Sequence, residues 1–205
     1  MSLFIPTYFS PISQYGMIYQ SKDITFELED NFQKQTYRNR CYIYGANGKQ
    51  LLNIPIMHSK SEIKQKSKDI RIETSSSWQK QHYKSLKIAY NSSPFFEYYE
   101  DDLMFVFEKK YTFLQDLNLD TFEFIKQALE LEQTYESTTS YGENSSDDYR
   151  ILASVKSHPN CTLERYIQVF DDKFGFVENL SILDLLFMEG PNSISFLEKV
   201  NVTLP

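Results

Sequence analysis

Residues 31–40 read Asn-Phe-Gln-Lys-Gln-Thr-Tyr-Arg-Asn-Arg, a run that concentrates hydrogen-bond donors. Lys34, Arg38 and Arg40 are cations, Asn31, Gln33, Gln35 and Asn39 carry amides, and Phe32 and Tyr37 alone have large apolar area. Such a composition offers recognition chemistry and little core material. In an extended segment the two-residue period puts Lys34, Arg38 and Arg40 on one face. In a helical turn Lys34 and Arg38 still share a face. Either geometry makes at least two cations converge, which suits an anionic or polyhydroxylated ligand. A solvated polar loop is the competing reading.

The elements around this run must position it. Residues 4–6 are apolar and β-compatible, and a loop at 7–11 follows. Ile12, Tyr15 and Tyr19 fall at helical spacing, and residues 24–28 alternate as a half-buried strand does. Strand, helix and strand in this order open a βαβ unit. The loops after its two strands, 7–11 and 29–40, would share the carboxyl edge of the sheet, where open α/β sheets hold ligands. Asn47 and Gly48 between residues 41–44 and 51–56 predict a β-hairpin. Residues 58–68, with Lys60, Lys64, Lys66 and Lys68, read as a solvated loop, and residues 69–74 as a short strand.

A helical middle section follows. Trp78, His82 and Ala89 lie on one helix face, with Lys80, Lys84 and Lys87 on another. His82 therefore reads first as a packed, hydrogen-bonded residue. Phe96, Tyr99, Leu103 and Phe107 trace a second stripe. Asp120 to Glu123 has capping-box spacing and predicts a helix from there to about Leu131. Residues 134–149 read as a partly extended connection and 150–155 as a returning strand. Ser181 and Asp184 have N-cap and N3 spacing, and Gly190-Pro191 stops the helix they open. The fold class is α/β in one domain over residues 1–205, with a mixed sheet.

The net charge of −7 is unevenly spread. Residues 1–92 hold thirteen Lys/Arg against seven Asp/Glu, and residues 93–205 hold eight against twenty-one. A nucleic-acid partner would need a basic footprint, and none is expected. No apolar run reaches the roughly 18–20 residues that span a bilayer, and the start lacks signal-peptide character. Cys41 and Cys161 fit no metal spacing, nor do His58, His82 and His158. Free thiols in a reduced, cytoplasmic protein are the simplest reading, with a disulfide still open. No phosphate-loop, dinucleotide or serine-elbow motif is present, so no cofactor or metal is expected.

Several stretches together resemble the WbqC-like family. They are residues 31–40, Ala46-Asn47-Gly48, Ile54-Pro55-Ile56, Trp78 to Ser85, Asn91 to Phe96, Tyr166, Gln168 and Asn179 to Pro191. Ile5 stands where that family's pattern usually has His or Gln. The resemblance implies a bacterial cytoplasmic protein linked to O-antigen and other surface-polysaccharide gene clusters. It implies an enzyme or enzyme-like protein, of transferase type, that handles a nucleotide-sugar or sugar-phosphate. Phosphate would sit on Lys34, Arg38 or Arg40. Tyr8, Asn31, Gln33 and Asn39 would read hydroxyls, with Thr7, Tyr37, Trp78 and Lys84 as further ligand-binding residues. For acyl or aminoacyl transfer to a sugar amine, His82 and Asp184 are the candidate bases. A non-catalytic module docking on a polysaccharide-assembly complex is the alternative, favoured by an exposed aromatic patch within residues 95–111. Oligomeric state is not legible.

Overall fold

The opening strand β1 (Ser2–Phe4) is apolar at two of three positions and leads through Ile5-Pro6 and a loop into helix α1 (Ile12–Gln20). Strand β2 (Ile24–Phe26) then returns parallel to β1, in the register Ser2 to Ile24 and Phe4 to Phe26. The βαβ opening is therefore formed, but β2 is buried at all three positions, and Glu27 after it too, where the alternation predicts a half-buried strand. The computed structural model describes residues 1–57, 64–142, 145, 147–156 and 160–204. The hairpin is present as β3 (Arg40–Gly45) and β4 (Gly48–Asn53), turned at Gly48 with φ +99°, a conformation that favours glycine.

Three helices follow: α2 (Trp78–Tyr90), α3 (Phe96–Glu108) and α4 (Leu114–Ala128). Each buries a stripe at three- and four-residue spacing, as amphipathic helices do. On α2 the stripe is Trp78, His82, Leu86 and Ala89. Helix α4 begins six residues before the capping-box position. The Asp120 carboxylate is taken by Lys109 and by Tyr111 at 2.8 Å, so it caps nothing. Instead Leu114 donates its backbone N–H to Ile70 at 2.9 Å.

Strand β5 (Tyr135–Ser137) pairs parallel with β2, and β6 (Asp147–Asp148) pairs parallel with β1. The sheet order is β5-β2-β1-β6. Residues 150–153 form a 3₁₀ turn, where the sequence predicts a strand over 150–155; the pairing ends one residue earlier, with Tyr149 donating to Leu3 O at 2.8 Å. Residues 69–74 make only isolated bridges, Ile72 to Ile56 and Arg71 to Phe113. Strand β7 (Asn160–Thr162) precedes the short helix α5 (Asp171–Phe174), α6 (Ile182–Glu189) and α7 (Ser193–Leu197). Strand β8 (Asn201–Thr203) closes antiparallel on β7. Parallel and antiparallel pairing thus occupy separate sheets of one α/β fold.

Helix α1 is buried from Ile12 through Ile18 because it packs against α6, α7, β8 and the turn at residues 150–153. Gly16 lets Val200 approach so closely that a Cβ there would stand 2.3 Å from the valine Cβ. Helix α6 is buried from Ile182 through Phe187, and Phe187 packs on Tyr90 and Phe96 at ring distances of 5.2 and 5.1 Å.

Candidate functional site

Among Ile5, Glu27, Thr138 and Tyr149, each one residue past a strand of the parallel sheet, Glu27 is fully buried. One carboxylate oxygen, Oε1, accepts the Glu29 N–H at 2.8 Å and the Thr138 hydroxyl at 2.7 Å. The other, Oε2, has no hydrogen-bond partner among the described residues; the Arg150 Nη1 stands 3.5 Å away. Arg150 is oriented by Asp148, which accepts from Nε at 2.9 Å and from Nη2 at 2.6 Å. That fork leaves Nη1 turned to Glu27.

Asp30 and Arg38 form a buried ion pair beside them. Arg38 also donates through Nη1 to Thr36 Oγ1 at 3.3 Å, while its Nε and Asp30 Oδ1 lack partners among the described residues. Asn118 of α4 donates both amide protons, to Pro6 O at 3.1 Å and Arg38 O at 2.9 Å. This fixes which end of the amide is which, and leaves Oδ1 unpartnered.

A cleft of about 600 Å³ opens over this group, lined by Ile5, residues 30–33, Arg38, Lys64, Tyr141, Arg150, Ile151 and Ser154. Its size is that of a small-molecule site. It lies at the carboxyl ends of the strands, where the chain, having run from β1 outward to β5, returns with β6 on the other side of β1. That reversal is where open α/β sheets characteristically leave a crevice.

Of the residues singled out from sequence, Arg38, Asn31 and Gln33 line this cleft, the last two as exposed residues at its lip. Lys34 and Arg40 instead share a second cavity of about 470 Å³ with Asn39 and residues 53–57. The 3₁₀ turn Tyr37–Asn39 breaks the two-residue alternation and separates Arg38 from the other two cations. Thr7, Tyr8 and Tyr37 are buried: Thr7 bonds Ser10 at 2.6 Å, Tyr8 donates its N–H to Tyr37 O at 3.0 Å, and Tyr37 packs edge-on against Tyr42. Burial pushes the Tyr37 hydroxyl up to about 12. Asn39 donates to Ile54 O at 3.1 Å, and Lys84 is exposed on α2.

His82 and Trp78 pack on one side of α2, with ring centroids 5.2 Å apart. His82 Nε2 lies 3.2 Å from Asn53 O, which can only accept, so Nε2 carries the proton. Nδ1 therefore accepts from the Tyr8 hydroxyl at 3.0 Å. Desolvation holds the imidazole down to about 4, so it is neutral near pH 7. Asp184 is fully buried and accepts from Tyr90 at 2.6 Å, Tyr166 at 2.5 Å and Gln168 at 2.9 Å. Burial raises its pKa against those hydrogen bonds. Neither residue lines the 600 Å³ cleft. His58 and His158 fall outside the described residues, and no group of His, Cys, Asp and Glu among the described residues could hold a metal. Cys41 and Cys161 are free thiols.

Glu27, Asp30, Asn118 and Arg150 escape a reading of local sequence. Asn118 did leave a signal: it is a polar residue on the buried stripe of Leu114, Leu117, Thr121 and Phe122.

Fold and cleft together define an α/β protein with a polar crevice at the carboxyl edge of a parallel sheet. A family model, that of the WbqC-like protein family, matches residues 6–167, and the chain belongs to that family. No curated protein and no solved structure matches the chain. No helix among the described residues is long and apolar enough to cross a membrane.

Proposed function

We propose that the cleft binds a sugar-phosphate or nucleotide-sugar, and that the protein acts as a transferase of cytoplasmic surface-polysaccharide biosynthesis. The observation carrying this reading is the pairing of Arg38, Arg150 and Lys64 with Asn31 and Gln33 around one crevice. In this reading Arg150 and Lys64, both lining the cleft, would meet the phosphate oxygens. The carboxylates of Asp30 and Glu27 take up much of the cationic charge, so the floor of the cleft suits hydroxyl or amine donors better than phosphate. An acyl or aminoacyl donor would meet the sugar in the outer part of the cleft. The resemblance to proteins of O-antigen gene clusters supports the same substrate class.

A second reading rests on a different surface. Tyr98 and Phe105 of α3, seven residues apart, are 76% and 65% exposed, and in this reading they would anchor a partner in a polysaccharide-assembly complex.

A thermal-shift screen with nucleotide-sugars, sugar-phosphates and acyl donors tests the first reading. A ligand at 100 times its dissociation constant is expected to add about 2.7 kcal/mol of stability, which Arg150→Lys should reduce. A screen without any stabilising phosphorylated sugar moves the function to the second reading.

A further inference from the structure

Behind Arg38 the cleft floor carries a small chamber of about 10 Å³, enough for one water-sized group. It is walled by Ile5, Pro6, Phe32, Leu114 and five polar residues: Glu27, Arg38, Ser67, Gln115 and Asn118. Each of these five has a buried side-chain atom without a hydrogen-bond partner among the described residues: Glu27 Oε2, Arg38 Nε, Ser67 Oγ, Gln115 Oε1 and Asn118 Oδ1. Glu27, Asn118 and Arg38 are 0%, 3% and 5% exposed. Buried polar groups in folded proteins are paired almost without exception, and each orphan is costly. Here five residues that carry one such atom each wall a single chamber.

The chemistry of the five selects that partner. Three are oxygens that only accept, one of them anionic, and the serine hydroxyl can accept as well. A hydroxyl brings one proton to such a set; a protonated primary amine brings three, with a charge that Glu27 complements. The Arg38 Nε–H, the one obligate donor, would be met by an oxygen on a neighbouring ligand carbon. Ile5, Phe32 and Arg38 line both the chamber and the main cleft, so a group held in the chamber joins a body held in the cleft.

We infer that the chamber is an ammonium subsite, and that the preferred ligand is an amino sugar phosphate whose free amine, next to a hydroxyl, is held by Glu27, Gln115 and Asn118. This rests on the sugar-phosphate reading and sharpens it.

The test is isothermal titration of the full chain with glucosamine 1-phosphate, glucose 1-phosphate and N-acetylglucosamine 1-phosphate, which differ at one carbon. Glucosamine 1-phosphate is expected to bind at least tenfold more tightly than glucose 1-phosphate. The acetylated sugar should bind most weakly, because its acetamide exceeds the chamber. Gln115→Met, at a partly buried position with room for an unbranched chain, should cut the preference for amine over hydroxyl to below threefold, and Ser67→Ala should lower it less. Melting curves of both variants check that the fold is kept. Equal affinities for all three sugars would overturn the subsite and leave the sugar-phosphate reading standing. Preferences unchanged in Gln115→Met would also overturn it. Absence of binding by every sugar would overturn both.

Discussion

Two buried carboxylates, Asp184 and Glu27, sit in the same fold and are treated in opposite ways. Around Asp184 nothing is left over: Tyr90 and Tyr166 donate hydroxyls, Gln168 donates an amide proton, and Tyr90 Oη in turn accepts the Tyr44 N–H at 3.0 Å. Around Glu27 one oxygen is saturated and the other is not, and its neighbours Asp30, Arg38, Ser67, Gln115 and Asn118 repeat that incompleteness. A satisfied buried network rigidifies a core, whereas an unsatisfied one carries a standing cost. The C-terminal network is thus a structural clamp tying α2 and α6 to the segment around residues 166–168. The sheet-edge network is the one that the proposed ligand would complete.

The sharpest way to break this contrast is to remove each carboxylate. Asp184→Ala should cost about 4 kcal/mol, because two hydroxyls and an amide lose their acceptor inside the core. At this chain length that lowers the melting temperature by roughly 8–16 °C, read by calorimetry. A loss below about 1 kcal/mol would show that the clamp is not structural.

Acid titration comes next in size. The folded-state value for His82 is about 4, below an unfolded value near 6.5. Above pH 6.5 both states are neutral there and its contribution is whole. As pH falls from 6.5 to 4 the unfolded chain takes up a proton that the native ring refuses, so stability is lost, by about 3 kcal/mol in all. Asp184, whose pKa is raised, works in the opposite sense, its contribution being lost as pH rises. The comparison of urea midpoints for wild type and His82→Gln between pH 7 and 4 isolates the histidine. Parallel curves would remove it from the core's pH response.

Glu27→Gln should behave unlike Asp184→Ala. The amide oxygen can still accept from Glu29 and Thr138, but Arg150 Nη1 at 3.5 Å loses its carboxylate and meets an amide NH2, so the stability cost should be about 1–2 kcal/mol, well below that of Asp184→Ala. Affinity for glucosamine 1-phosphate should nevertheless fall about tenfold or more, since a hydrogen bond to a charged group is worth about 1.5–3 kcal/mol. Stability loss without affinity loss would make Glu27 another clamp. The smallest effect belongs to Arg150→Lys. A single ammonium cannot reproduce the fork that grips Asp148 while pointing Nη1 at Glu27. Stability should move by less than about 0.5 kcal/mol and phosphate-sugar affinity by roughly threefold to tenfold, measured by titration.

The halves of this comparison were not equally legible. The βαβ opening could be read because residues 24–28 alternate cleanly, the hairpin because Asn47-Gly48 allows positive φ, and α2 because Trp78, His82 and Ala89 keep one phase. Helix α4 was placed too late because Asp120 has cap-like spacing but spends its carboxylate on Lys109 and Tyr111. Of the donor-rich run 31–40, Asn31, Gln33 and Arg38 do line the cleft at the sheet edge. The run could not show that a 3₁₀ turn would send Lys34 and Arg40 elsewhere. Arg150 was out of reach in principle, since nothing in its surroundings announces a partner as distant in sequence as Glu27. Strand pairing alone creates that proximity.

The strand order also sets a timetable. Thr138, which fixes Glu27, lies 111 positions further along the chain. At 5–20 residues per second of synthesis that is a delay of roughly 6–22 s. During that interval β1, α1 and β2 can pair on the ribosome, and Asp30 can already meet Arg38. The cleft lacks its far wall until the segment 147–154 has emerged and β6 has docked beside β1. The proposed ligand therefore could not template the early steps of folding, and its capture would report that the last parallel strand has been laid down.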